Sequence, residues 1–433
     1  MPKKKTALTI EERLQQALVP AEEQPYEVPE NWVWVKLLST FVNKTDSKKK
    51  IQQKFYLNTG DYAIVDQGQN LIGGYTNDAF LQYDGELPVV VFGDHTRCVK
   101  YVDFNFVQGA DGVKILLPYK SFDSKFFYYA IMNLNIPNMG YRRHFPLFDK
   151  LTLPLPPLSE QQRIVERIEE LFAKLDEAKE RLQEAADSFA VRKAAILHKA
   201  FTGELTKQWR RENGVSDESW EEKKLGEVGV LERGRSKHRP RNDERLFGGI
   251  YPFIQTGDVA NADMFIEKHS QTLSDFGMQQ SKLFAKNTIC ITIAANIGKV
   301  AILSYDSCFP DSVVGLITDE KNNYKYVYYY LSTQQKELES KAPATAQKNI
   351  NLKVLNDLDI PLPTLSEQHE IVRLVDDLLA RERAAQQATE QALASIELMK
   401  KSILARAFRG ELGTNKASEA SALELLRQVL AEN

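Results

Sequence analysis

The apolar residues Ile164, Ile168, Leu171, Leu175, Ala178, Leu182, Ala185 and Phe189 follow one another at alternating gaps of four and three. That spacing is the seam of a coiled coil rather than the broader face of an ordinary bundle helix. The register returns at Ile371, Val375, Leu378, Ala385, Ala392, Ile396 and Ile403, interrupted by Glu382 and Thr389. The flanks repeat as well: residues 153–165 read LPLPPLSEQQRIV and 360–372 read IPLPTLSEQHEIV, while 196–205 read ILHKAFTGEL and 403–412 read ILARAFRGEL. The offset is 207 at Ser159/Ser366, Ile164/Ile371, Phe201/Phe408 and Gly203/Gly410. An interval held constant between two motifs predicts a rigid, duplicated spacer.

Local chemistry predicts where each spacer begins and ends. Pro154, Pro156 and Pro157 keep the approach extended. Ser159 suits the N-cap, with Glu160 in the first turn and Gln162 at the capping-box position. Gly203 and Gly410 are natural stops. Each helix should run about forty residues, or roughly 60 Å.

Outside the spacers the pattern changes to short β-rich runs. Residues 32–38 (WVWVKLL) open a first globular domain as a strand, and 220–226 (WEEKKLG) open a second. Further β-rich runs are 87–93 (LPVVVFG) and 287–295 (NTICITIAA), bounded by Gly, Asp and Asn. Aromatic-rich helices are expected over 125–134 and 324–335, their rings serving as core. The predicted class is α+β: two globular domains separated by two long antiparallel coiled-coil helices in a pseudo-twofold cyclic layout. The expected divisions are a tail with a short helix (1–25), globular domain 1 (26–158), spacer 1 (159–205), globular domain 2 (206–365), spacer 2 (366–412) and a helical tail (413–433). In this layout the amphipathic runs 10–19 and 422–430 should meet, bringing the termini together.

The duplicated PLPxLSEQ and AFxGEL segments, each pair joined by a long helix, resemble the DNA specificity subunit of type I restriction-modification systems. The resemblance covers nearly the whole chain. It implies a non-catalytic reader of duplex DNA with two target-recognition domains, bound to two modification subunits and through them to restriction subunits. S-adenosylmethionine, ATP and Mg would then belong to those partners, and the chain would work in the cytoplasm. The alternative is a coiled-coil adaptor that holds proteins together without reading DNA.

Charge changes the picture once it is divided along the chain. The net value is −3, which by itself argues against a nucleic-acid binder. Residues 160–187 hold nine acidic and five basic side chains, whereas 233–245 hold six basic and two acidic ones. The helix therefore reads as a strut facing protein or solvent, and the basic loop as a surface facing phosphate. Exposed Glu166, Glu170 and Glu177 are candidate contacts to a partner subunit. Cys98, Cys290 and Cys308 have no metal-like spacing and fit a reducing compartment.

Candidate DNA contacts lie in polar loops, because Arg, Lys, Gln and Asn can read base edges and hold phosphates. In the first domain they are Lys48, Lys49, Lys50, Gln67, Gln69, His95, Arg97, Tyr141, Arg142 and Arg143. In the second they are Arg233, Arg235, Lys237, Arg239, Arg241, Gln255, Thr256, Asn296, Lys299, Gln347, Lys348 and Asn349. At the offset of 207, Tyr141, Arg142 and Arg143 fall opposite Lys348, Asn349 and Ile350.

Catalytic patterns are weak. Gly298-Lys299-Val300 lacks the residues of a P-loop, and no adenine-methyltransferase motif is visible. Asp311 followed by Asp319 and Lys321 gives a nuclease-like spacing, but residues 319–323 (DEKNN) read as an exposed turn.

Overall fold

The computed structural model describes residues 9–120, 122–342 and 349–431. It divides into two units: Met1–Gln183 with Gln391–Asn433, and Glu184–Glu390. Each contains a globular α+β domain, the start of one long helix and the end of the other.

In the first unit an antiparallel sheet carries the strands Phe41–Asn43, Val113–Pro118, Val89–Gly93 and Val99–Val102 in that order. Its central strand, VVVFG, is buried throughout, which explains why it shows no polar alternation. A second four-stranded sheet orders Lys50–Gln52, Phe106–Ala110, Tyr62–Val65 and Gly74–Thr76. A two-stranded ribbon pairs Val33–Lys36 with Thr152–Leu155. The aromatic helix, Ser124–Asn133, buries Phe126, Phe127 and Tyr129, so its rings are core.

The second unit repeats this plan with more strands. Its five-stranded sheet runs Gly229–Arg233, Val313–Thr318, Ile289–Thr292, Val300–Leu303, Phe265–Ile266. A four-stranded sheet runs Gln271–Leu273, Phe247–Phe253, Ser307–Cys308, Leu283–Phe284. The ribbon pairs Glu221–Lys224 with Asp359–Leu362. The helix Tyr324–Thr333 buries Tyr326, Tyr328 and Tyr329.

The long helices are Leu158–Phe201 and Leu365–Ala407, of 44 and 43 residues. They run antiparallel in both units. In the first, Asp176 meets Lys400 at 2.5 Å and Lys179 meets Glu397 at 2.8 Å. In the second, Arg192 meets Glu382 at 2.9 Å, so the polar interruption at Glu382 is an ion pair. Thr389, the other interruption, is buried and bonds the Ala385 carbonyl. The expected seam is not continuous: Ala178 and Ala385 are exposed. Burial concentrates towards the helix ends, at Ile164, Ile168, Leu197 and Ala200 in one helix and Ile371, Val375, Leu404 and Ala407 in the other. There the helices enter the cores of the globular domains, which offer more apolar area to bury than an alanine on the helix seam does.

The two repeated motifs are the attachments. The AFxGEL phenylalanine at each helix end packs on the aromatic helix of the unit it enters: Phe408 on Phe126 at 5.2 Å, and Phe201 on Tyr326 at 5.4 Å. Gly203 and Gly410 have φ of +73° and +74°. At the latter, Glu411 N–H returns to Arg406 O and Gly410 N–H to Ala407 O, the bond pair of a glycine-ended helix.

The LSEQ start departs from a simple cap. With Ser159 and Ser366 as caps, each helix would begin at the glutamate that follows; it begins two residues earlier, at Leu158 and Leu365. Pro157 O accepts from Glu160 and Gln161 N–H, so Ser159 is already helical and is not the N-cap. The Glu and Gln side chains that follow turn inward and are fully buried. Gln161 accepts from Asp123 N–H at 2.9 Å and donates to Pro156 O at 3.1 Å. Gln368 does the same with Asn323 N–H at 2.8 Å and Pro363 O at 3.0 Å. A neutral amide with a donor and an acceptor thus ties each aromatic helix to its long helix.

The glutamates are held differently. Glu160 accepts from the Trp32 indole and from Asn415, both at 2.8 Å. Glu367 accepts from Thr206 and from Arg210, both at 2.6 Å. The Trp220 indole nitrogen and Glu367 Oε2 have no partner among the described residues.

The terminal runs meet within the first unit. The helix Ile10–Ala17, capped by Thr9 and Glu12, packs against Ala422–Ala431. Arg13 donates to Leu430 O at 3.1 Å, and Arg427 lies 3.4 Å from Glu11. Arg163 forks onto Glu419 at 2.9 and 2.8 Å, fastening the segment between.

Because Arg210 and Glu367 are both buried, removing one partner strands the other. Glu367→Ala should cost about 3 kcal/mol of stability, and Glu160→Ala, which strands only neutral donors, about 2 kcal/mol. Denaturant unfolding of the full chain measures both, and the reverse order would refute the assignment.

Candidate nucleic-acid interface

In the first unit the candidate loops converge on the end of the strand Val89–Gly93. Asp94 N–H donates to Gly112 O at 2.6 Å, and Asp94 O accepts from His144 N–H at 2.8 Å. The buried His144 ring donates from Nδ1 to that same carbonyl at 2.8 Å and accepts Met139 N–H at Nε2, 3.1 Å away. These opposite roles require the neutral Nδ1–H tautomer. Asp94 Oδ1 also accepts Phe145 N–H at 2.7 Å. Residues 139–145 are therefore bolted to the 94–97 loop.

The bolted frame presents its neighbours outward. His95 N–H donates to Gln67 Oε1 at 3.2 Å, and the Thr96 hydroxyl to Gln67 O at 2.6 Å. The His95 ring stacks on Tyr141 at 5.4 Å and 23°, and Tyr141 is 92% exposed. A Cβ added at Gly112 would come within 2.7 Å of His95 and 2.9 Å of Gln67, so this glycine admits the close approach of three loops. Lys50 pairs with Asp111 at 2.7 Å. The hydrogen bond from Lys50, with the charges of Lys50, Arg143 and His95 behind it, holds the Asp111 carboxyl below its usual range.

Some candidates stand apart from this cluster. Arg97, with φ of +62°, turns to donate to Ile136 O at 3.0 Å and serves the frame. Lys49 pairs with Asp84 at 2.6 Å in a separate cleft of about 260 Å³ that also contains Lys44, Tyr83 and Gln108. Lys48, Gln69, Arg142 and Arg143 are exposed.

The second unit builds the same frame from other residues. Ile293 N–H donates to Ser312 O, and Ile293 O accepts from Ile350 N–H, both at 3.0 Å. The apolar, buried Ile350 stands where His144 stands in the first unit. Their numbers differ by 206, so Arg143 corresponds to Asn349 rather than to Ile350: the expected offset of 207 is wrong here by one residue. Asn349 bridges Ala294, next to exposed Asn296 and half-buried Lys299. Gln347 and Lys348 lie outside the described residues.

The segment after Cys308 gathers the remaining candidates. Gly234 N–H donates to Val313 O at 2.9 Å, Arg235 N–H to Phe309 O at 3.0 Å, and Ile254 N–H to Cys308 O at 2.8 Å. The arginine loop, Gln255 with Thr256, and the 294–299 loop thus all border residues 308–313. Arg241 pairs with Asp311 Oδ2 at 2.8 Å, and Arg233 donates to the Asp311 carbonyl. Gln255 Nε2 reaches Gln271 at 3.1 Å. Arg235, Lys237 and Arg239 are exposed, and Arg239 folds back on the Ser236 and His238 carbonyls at 2.7 and 2.8 Å. Asp243 holds His238 and Arg245 at 2.7 and 2.6 Å; the Arg245 bond, then that of His238, keeps its carboxyl well below the usual range.

The nuclease-like spacing does not assemble. Asp311 precedes and Asp319 follows the strand Val313–Thr318, and a six-residue strand separates its ends by roughly 20 Å. Asp319 caps its own turn, accepting from Lys321 N–H and Asn322. The candidate partner contacts are exposed, and Glu170 and Glu177 are engaged along their own helix by Arg167, Lys174 and Arg181.

Comparison with known proteins agrees with this geometry. The type I restriction modification DNA specificity domain family matches residues 29–186 and 217–394, once on each recognition unit and adjoining helix. The chain belongs to this family and is a type I restriction-modification specificity subunit with DNA-recognition domains. It is 29% identical to the EcoBI specificity subunit of Escherichia coli over 74% of each chain. To the EcoR124I/EcoR124II subunit it is 23% identical, over 79% of this chain and 85% of the relative. The fold resembles the HsdS subunit of Thermoanaerobacter tengcongensis, with a TM-score of 0.60, 18% identity and coverage of 90% and 99%. It also resembles a chain solved in a study of complex assembly and conformational transition of the type I R-M system, with a TM-score of 0.64, 20% identity and coverage of 89% and 100%. No helix among the described residues is long and apolar enough to cross a membrane.

If the exposed arginine loop faces phosphate, replacing Arg235, Lys237 and Arg239 together with Ala should weaken binding to all duplexes alike. The slope of log affinity against log salt should shrink by roughly 2 to 3. Loss confined to one sequence would make these residues base readers instead.

Proposed function

We propose that this subunit reads an asymmetric, bipartite duplex target and scaffolds the proteins that act on it. One observation carries the reading: the two units share the buried glutamine and phenylalanine attachments of the long helices, yet carry different side chains on the loops beyond them. His95, Tyr141 and Arg143 lie on the loops of one, and exposed Asn296 and Asn349 with half-buried Lys299 on those of the other. Two unlike readers predict two unlike half-sites, and the long helices between them predict a stretch that is not read. Sequencing the methylated positions of a host carrying this subunit with its modification partner tests this. The expected result is one motif of two different half-sites with a fixed gap; a continuous or perfectly palindromic motif would refute it.

The chain has no catalytic step of its own in this reading. Two modification subunits would supply S-adenosylmethionine, and restriction subunits bound through them ATP and Mg, with the assembly acting on DNA in the cytoplasm. What supports a shared partner surface is the acidic helix, whose exposed face is not consumed by the recognition domains. Charge reversal of Glu166, Glu170 and Glu177 together should weaken association with the modification subunit by at least about tenfold, about 1.4 kcal/mol, in a direct binding assay. Unchanged association would move the docking surface elsewhere.

A further inference from the structure

Strand register makes Asp111 and Asp311 the same residue in two frames. Val113 opens the strand paired with Gly93, and Val313 the strand paired with Thr292. The backbone bonds Asp94 N–H to Gly112 O and Ile293 N–H to Ser312 O close the same turn. Each aspartate lies two residues before its valine. Around them the units have diverged: Lys50, His95 and Arg143 surround Asp111, whereas Arg233 and Arg241 surround Asp311. Both carboxylates reach the surface, with side-chain exposures of 69% and 35%.

An exposed carboxylate amid the cations of a DNA-facing surface opposes binding to a polyanion at every sequence. Holding a lysine in one unit and an arginine in the other does not require it, since both cations could remain solvated. A base edge does supply a matching group. In the major groove only the exocyclic amino groups, N4 of cytosine and N6 of adenine, donate hydrogen bonds, while guanine and thymine present acceptors that repel a carboxylate. The adjacent cation, already paired with the carboxylate, is positioned for the neighbouring phosphate or guanine.

We propose that Asp111 and Asp311 are specificity-determining residues, one per half-site, each accepting a hydrogen bond from a base amino group and rejecting bases that offer an acceptor there. This rests on the DNA-reading function proposed above and adds which residue reads and which chemistry it reads.

The experiment uses the full chain assembled with its modification subunits and the target duplex found by methylation sequencing. Affinity is measured for wild type, Asp111→Asn and Asp311→Asn on the target and on duplexes substituted at each read base pair in turn. Each variant should lose about tenfold of its discrimination at one base pair, Asp111 in one half-site and Asp311 in the other, with discrimination elsewhere unchanged. Asp111→Ala and Asp311→Ala should relax the same two positions. Uniform weakening at all positions, or unchanged discrimination at every position, overturns the proposal while leaving the bipartite reading in place. Failure of the wild type to prefer its target over other duplexes overturns both. Should one variant not fold, the other unit's variant decides.

Discussion

Each long helix opens with a glutamate and a glutamine that have no access to water, and the elements packed around them are held by the hydrogen bonds they make. Gln161 and Gln368 do so through the same two backbone groups in each unit. A buried amide is tolerated only with its donor and acceptor both engaged, so each bond also specifies where the aromatic helix sits on the long one. The repeated LSEQ segment is therefore first an assembly device. The equivalent bonds of its glutamine account for that residue in both halves.

The glutamates show how far duplication constrains chemistry. Trp32 donates to Glu160, while in the second unit Arg210 has replaced that solution with a buried ion pair to Glu367. The ring contact beside it is kept all the same: Phe408 packs on Phe126 in one unit and Phe201 on Tyr326 in the other. At the outer ends of the sheets the constraint is only the hydrogen-bonded frame. There a histidine can stand for an isoleucine, as His144 does for Ile350, and the exposed side chains beyond are free to differ. A rigid attachment with a permissive rim is what a protein needs if its recognition loops are to vary without loss of fold.

Much of this was legible in the chain. The constant interval between LSEQ and AFxGEL marked two long helices, and strands appeared at the Val-rich and Ile-rich runs, because periodicity and local propensity act over a few residues. The meeting of the helices Ile10–Ala17 and Ala422–Ala431 followed from the order of elements. The seam was misjudged at Ala178 and Ala385, since a heptad pattern records which residues are apolar but not what lies opposite them. Likewise Ser159 satisfies the composition of an N-cap, yet Pro157 O takes the first helical bonds.

What the sequence determined by itself was therefore the frame: two helices of matched length, two α+β domains and the motifs that join them, all set by patterns of apolar and chain-breaking residues. What only the tertiary structure decided was which side chains share a surface. Lys50, Gln67, His95 and Tyr141 come from four separate segments, as do Arg241, Gln255, Asn296 and Asn349. Asp111 carried no signal of its own, and Asp311 only a nuclease-like spacing that the strand Val313–Thr318 pulls apart, until strand register aligned them. Long-range pairing places such residues together, and no local pattern in a chain encodes the distance between segments that meet only across a sheet.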